Sequence, residues 1–88
     1  MENVVGIDVS KDRLDVHVLA SGESFAVPND HDGLDALCAR LVPTKPDVVA
    51  MEATGGYEIV AAGALSRAGL AVAILNPAQV RALSLIHI

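Results

Sequence analysis

Val4-Val5-Gly6-Ile7-Asp8-Val9-Ser10-Lys11-Asp12-Arg13-Leu14-Asp15-Val16-His17-Val18-Leu19 is the stretch on which the fold turns. Val4 to Val9 is an apolar run rich in β-branched residues. Leu14 to Leu19 sets Leu14, Val16 and Val18 against Asp15 and His17, the period of two expected of a strand with one wet face. The Ser10-Lys11-Asp12 link is short and polar, so the two strands form an antiparallel hairpin. A second turn at Ser21-Gly22 leads into a short strand from Ser24 to Val27, which Pro28 ends. The chain therefore opens as a three-strand meander.

Beyond the meander the period changes. Asp30 to Asp32 offer N-cap oxygens ahead of Leu34, Leu37, Cys38 and Leu41, whose i, i+3, i+4, i+7 spacing marks an amphipathic helix. Pro43-Thr44-Lys45-Pro46 stops it. Val48, Val49, Ala50 and Met51 form a compact apolar run with no wet face, as expected of a central parallel strand covered on both sides, and Glu52 ends it. The segment from Tyr57 to Ala68 is dense in Ala and Leu and closes at Gly69, so it reads as a helix with a left-handed C′ residue. Leu70 to Leu75 repeats the buried-strand pattern. Asn76-Pro77 then starts a last helix, with Asn as cap and Pro in the first turn. The order β-β-β-α-β-α-β-α combines a hairpin unit with β-α-β crossovers, an α/β mixed sheet.

Eighty-eight residues suffice for one domain or part of one, and exclude a second. Hydrophobic residues make up 52% and charged residues 19%, which excludes disorder and supplies a core. The single Cys excludes an internal disulfide, and at this size the core is a thin counterweight to conformational entropy. Cys38 falls within the apolar period of its helix and reads as a small buried hydrophobe, in keeping with a reducing cytoplasm. The N-terminus has neither a basic region nor a cleavable apolar run. The segment Ile59 to Leu75, interrupted by Ser66, Arg67 and Gly69, falls short of the ~20 apolar residues of a membrane span. Six Lys plus Arg against eleven Asp plus Glu give a net charge of −5, so non-specific gripping of a phosphate backbone by this chain alone is expected to be weak.

Two acids stand at strand carboxyl ends, Asp8 near the end of the first strand and Glu52 just after the Val48 to Met51 run. Ligands of open α/β sheets sit outside those ends, so if the two strands are neighbours the carboxylates share one crevice. Desolvation and like-charge repulsion make that arrangement costly, and a divalent cation would relieve it. An oxygen-only donor set without a His or Cys cluster points to Mg²⁺ or Mn²⁺ rather than Zn²⁺. The residues also allow a plainer reading, in which Asp8 caps the Ser10-Lys11-Asp12 turn and Glu52 is a solvated loop acid. Gly55-Gly56 before a helix suits either a phosphate contact or a tight turn. Lys11 suits a phosphate or open solvent, and Tyr57 suits base stacking or packing on the sheet. Ser10 and Thr54 belong with Lys11, Gly55 and Tyr57 as candidate nucleic-acid contacts. His17 and His31 lack metal-site spacing and read as structural.

Three ordered blocks carry a resemblance: Gly6-Ile7-Asp8-Val9-Ser10-Lys11 with Leu14-Asp15-Val16, then Met51-Glu52-Ala53-Thr54-Gly55-Gly56-Tyr57-Glu58, then Asn76-Pro77-Ala78-Gln79-Val80-Arg81. Together they closely resemble the N-terminal RNase H-like, RuvC-like domain of the DEDD transposases, the insertion-sequence family related to the Piv invertases. The resemblance implies that Asp8 and Glu52 are the first two of four acids binding catalytic Mg²⁺ for DNA cutting and rejoining. It implies neighbouring strands for the two, DNA as partner, a guide (bridge) RNA, a homo-oligomer when full length, and a Ser nucleophile from a separate C-terminal domain.

Departures from the family pattern are equally specific. The third and fourth acids belong to an Asp-x-x-Asp segment beyond the Asn-Pro helix, whereas nothing after Arg81 is acidic here. Residues 84–88, Ser84-Leu85-Ile86-His87-Ile88, form an atypical tail in place of a basic continuation. The expectation is a C-terminally truncated domain spanning residues 1–88, inactive by itself. Two rivals remain: an actin-like ATPase or sugar-kinase fragment, which also opens on Gly-Ile-Asp, and a non-catalytic remnant of a decayed element.

Overall fold

The computed structural model describes residues 3–52 and 55–76. Strands β1 (Val4–Val9), β2 (Arg13–Val18) and β3 (Glu23–Pro28) are followed by helix α1 (His31–Leu41) and a 3-10 turn over Val42–Thr44. Strand β4 (Val48–Glu52), helix α2 (Glu58–Arg67) and strand β5 (Val72–Leu75) complete the described order. The five strands form one mixed sheet in the order β3-β2-β1-β4-β5. β1, β2 and β3 pair antiparallel, while β4 lies parallel to both β1 and β5. This is an α/β, RNase H-like arrangement, and the expected meander and the parallel half are both present. The expected final helix from Asn76-Pro77 lies outside the described residues.

Local chemistry explains the elements. Asp30 is the N-cap of α1, its backbone extended and its carboxylate accepting the Gly33 N–H at 2.7 Å. Asp32 in the first turn and Arg40 in the last complement the helix dipole. The helix approaches β3 so closely at Gly33 that a Cβ there would lie 1.9 Å from the Pro28 carbonyl oxygen. Past the Ala68 C-cap of α2, Gly69 has a φ of +91°, the left-handed geometry anticipated for the C′ position. β5 begins two residues later than the apolar pattern suggested, at Val72, because the Leu70 N–H closes the α2 terminus by donating to the Leu65 carbonyl.

Both helices lie on the same side of the sheet. Val5, Ile7 and Val9 of β1, Leu14 and Val16 of β2, and Val49 and Met51 of β4 bury the same face. Leu34, Leu37 and Leu41 of α1 and Ala61 and Leu65 of α2 cover it. The apolar run of β4 was expected to be covered on both sides, and in this respect the structure differs. Val49 and Met51 are buried, but Val48 and Ala50 are half-buried, because among the described residues no layer covers their face. Lateral neighbours within the sheet give them what shielding they have.

Candidate active site

Alternation along the strands places the acids. Asp8 lies between buried Ile7 and Val9 and is exposed, and Glu52 follows buried Met51 and is half-buried. Since successive side chains leave opposite faces, both carboxylates lie on the face away from the helices. β1 and β4 pair with Ile7 beside Met51. One residue further along, the same register brings Asp8 beside Glu52, at the carboxyl ends of adjacent parallel strands.

β2 adds polar groups to this face. Asp15 is the direct cross-strand partner of Asp8. Its carboxylate is taken up by Arg13, whose Nε lies 3.0 and 3.2 Å from the two oxygens and whose Nη2 lies 2.8 Å from Oδ1. The hydrogen bond to Asp15, then its charge, raises the Arg13 guanidinium pKa above the ordinary value. Asp15 is thereby compensated within its own strand. His17 Nε2 lies 3.9 Å from Asp8 Oδ2, and its Nδ1 is 3.0 Å from Ser24 Oγ. His17, read as structural, is tied to Ser24 on the neighbouring strand, and its ring also lies on the same face as Asp8. The signal was present in the alternation that puts Asp15 and His17 on one face, but it became usable only once the hairpin register was known. Among the described residues no group of three or more His, Cys, Asp or Glu side chains converges as a metal site.

Asp8 and Glu52 nevertheless suit a hard cation. Mg²⁺ keeps several waters and is commonly held by one or two carboxylates together with substrate phosphates. Two acids on one open face, with no sulfur or second nitrogen donor converging, match that requirement better than they match Zn²⁺.

The turns at the carboxyl edge are tied down internally. Ser10 Oγ and the Ser10 N–H both donate to the Arg13 carbonyl, each at 2.9 Å, and Asn29 Nδ2 donates to the Ser10 carbonyl at 2.9 Å. Ser10 thus spends its hydroxyl on the hairpin turn. Gly55 and Gly56 have φ of +71° and +105°, and the Gly56 N–H donates to Glu58 Oε1 at 2.9 Å. The Gly56 amide is therefore committed to its own loop. Glu58, buried in the first turn of α2, belongs to the second resemblance block but was assigned no role there. A Gly-Gly-x-Glu order, with the acid two residues after the second Gly, is the pattern that would have flagged it. Thr54 lies outside the described residues.

Lys11 and Tyr57 meet elsewhere. They line a cleft of about 650 Å³ on the helix side that runs between α1 and α2, with Gly56 and Val60 near the start of α2 and Arg67 at its C-terminal end. Gly55 is exposed at its margin of the chain and does not line this cleft. Cys38, half-buried rather than fully buried, also reaches the cleft, with Sγ 3.8 Å from the Ala64 carbonyl. Burial first, then the charge of Asp35, pushes its thiol pKa up, against an opposing pull from Arg67. The sequence-selected residues thus divide into Asp8 with Glu52 on the open face, and Lys11 with Tyr57 on the covered one.

The β3-β2-β1-β4-β5 order, with acids at the carboxyl ends of the two central parallel strands, defines the class: an RNase H-like domain. The family model of the IS110-type DEDD transposases, described as transposase, matches residues 5–88. The chain belongs to that transposase family. No curated protein matches it. No helix among the described residues is long and apolar enough to cross a membrane.

Proposed function

We propose that this chain contributes the first half of the catalytic metal site of a transposase that cuts and rejoins DNA. Asp8 and Glu52 hold Mg²⁺, or Mn²⁺ in its place, and their adjacent positions on one open sheet face are the observation that carries the reading. The cation, when bound, polarises the phosphodiester and stabilises the attacking and leaving oxygens. Asp8 and Glu52 would hold it, and Arg13 keeps the Asp15 carboxylate paired within its own strand. Lys11 and Tyr57 are the proposed nucleic-acid contacts that share one cleft, and Ser10, Thr54 and Gly55 are proposed contacts on the strength of the family resemblance alone. DNA is the partner, with a guide RNA and a homo-oligomer of the full-length protein completing the reaction in the cytoplasm. Strand transfer is expected of the full metal site rather than of Asp8 and Glu52 by themselves.

Mn²⁺ titration followed by NMR tests this reading. Paramagnetic broadening should appear first at the amides of Asp8 and Glu52 and disappear in the Asp8→Asn/Glu52→Gln variant. Broadening centred on other acids would overturn the metal assignment, and Mg²⁺-dependent DNA cleavage by this chain alone would overturn its inactivity. The rival ATPase reading, which rests on the Gly6-Ile7-Asp8 opening, is disfavoured by the transposase family match over residues 5–88, and ATP binding by the protein would revive it.

A further inference from the structure

We infer that the cleft between α1 and α2 is a second nucleic-acid site, which takes an unstacked base and its flanking phosphates from single-stranded DNA. This deepens the DNA-processing reading above and rests on it. Its place is new: the helix side of the sheet, opposite the face that carries Asp8 and Glu52.

Three observations converge on it. The cleft, about 650 Å³, is within the size range of small-ligand sites. Tyr57 at its rim is 49% exposed and is followed by Ile59 and Val60, 65% and 64% exposed, so α2 begins with an unusual display of apolar surface. A half-exposed aromatic ring beside such surface is what base stacking uses. Lys11 and Arg67, also in the lining, form no hydrogen bond or ion pair among the described residues.

The lining also includes two acids, Asp30 and Asp35. Asp30 accepts the Gly33 N–H at 2.7 Å, and Asp35 lies 3.5 Å from His31 Nε2. The formal charge of the lining is near balance, so the site does not trap phosphate by net charge. It selects a strand that supplies a base for Tyr57 and phosphates within reach of Lys11 and Arg67. A duplex, whose bases are stacked inside, presents no free face to the ring. Lys11 sits in the β1–β2 turn, immediately past the carboxyl end of the strand bearing Asp8. A strand leaving the acid face over that edge therefore passes Lys11 before entering the cleft.

The chain contains one Tyr and no Trp, so its tyrosine emission reports on this cleft alone. Labelled dT12 added to the 88-residue protein should raise anisotropy and quench that emission with the same midpoint. Tyr57→Ala should weaken dT12 binding at least fivefold, while Tyr57→Phe, which keeps the ring, stays within twofold of the parent. Lys11→Ala and Arg67→Gln should each lower the slope of log affinity against log salt by about 0.7, whereas Lys45→Gln, distant from the cleft, leaves it unchanged. A 12-base-pair duplex should bind at least tenfold more weakly. Binding without tyrosine quenching, unchanged salt slopes in both cation variants, duplex binding equal to dT12, or no dT12 binding would each overturn the site. Tighter binding of U12 than dT12 would overturn its assignment to DNA. Failure here with intact Mn²⁺ broadening at Asp8 and Glu52 removes the cleft and leaves the metal reading standing; the reverse pattern removes the metal reading alone.

Discussion

On one side of β1, Val5, Ile7 and Val9 are buried beneath α1 and α2, whereas Asp8, one residue from two of them, stands exposed on the other. β4 repeats the contrast, with Val49 and Met51 covered and Glu52 on the open side. The same backbone therefore supports two chemistries that need different surroundings. Close-packed apolar side chains hold the strands in register, and that register sets two carboxylates side by side at no cost in core packing. An acid pair placed one residue earlier on either strand would point into the leucines of α1 and α2, where desolvation would force protonation or unfolding.

The contrast can be broken most forcefully from the covered side. Leu37 is fully buried between α1 and the sheet, and Leu37→Ala should cost about 2–5 kcal/mol. Set against roughly 4–13 kcal/mol for a chain of this length, that loss removes much of the stability. Urea denaturation followed by circular dichroism measures it, and a loss below about 1 kcal/mol would mean that the helix layer is not what holds the sheet. A smaller effect is expected where the cover is fastened. Gly33→Ala puts a methyl group against the Pro28 carbonyl, and the shift of α1 that this forces should cost about 1–3 kcal/mol in the same assay. The smallest belongs to the open side: Asp8→Asn in metal-free buffer should change stability by no more than about 0.5 kcal/mol. A large destabilisation there would show that Asp8 supports the fold rather than a ligand.

Much of this contrast was legible in the residues themselves. The alternation of Leu14, Val16 and Val18 with Asp15 and His17 fixed the hairpin, and the spacing of Leu34, Leu37 and Leu41 fixed α1, because one strong period leaves one face to bury. The β4 run was misleading for a physical reason. Val48 and Ala50 are apolar, so no wet face showed, yet among the described residues only the other face of β4 is covered, and sheet neighbours shield these two in part. Asp8 and Glu52 were legible as acids at strand ends, and their adjacency depended on β1 and β4 being neighbours, as they are. His17 beside Asp8, Glu58 folded back on the Gly56 amide and the sharing of one cleft by Lys11 and Arg67 depend on register and helix placement, which local sequence patterns do not encode.

The sheet order also orders the assembly of the molecule in time. β1, β2 and β3 are consecutive hairpins whose closest partners lie within a few residues of each other, so they can pair early, as the chain leaves the ribosome. Val4 meets Val48 only after 44 further positions, with α1 and its terminating turn in between. Closing a loop of that size carries an entropy cost that no local contact offsets beforehand, and parallel pairing of this kind is characteristically slow. Asp8 therefore spends the early part of folding at an unpaired strand edge, and the crevice it forms with Glu52 arises only when β4 docks. The acid pair is thus a late product of folding, absent from any intermediate in which the meander alone has formed.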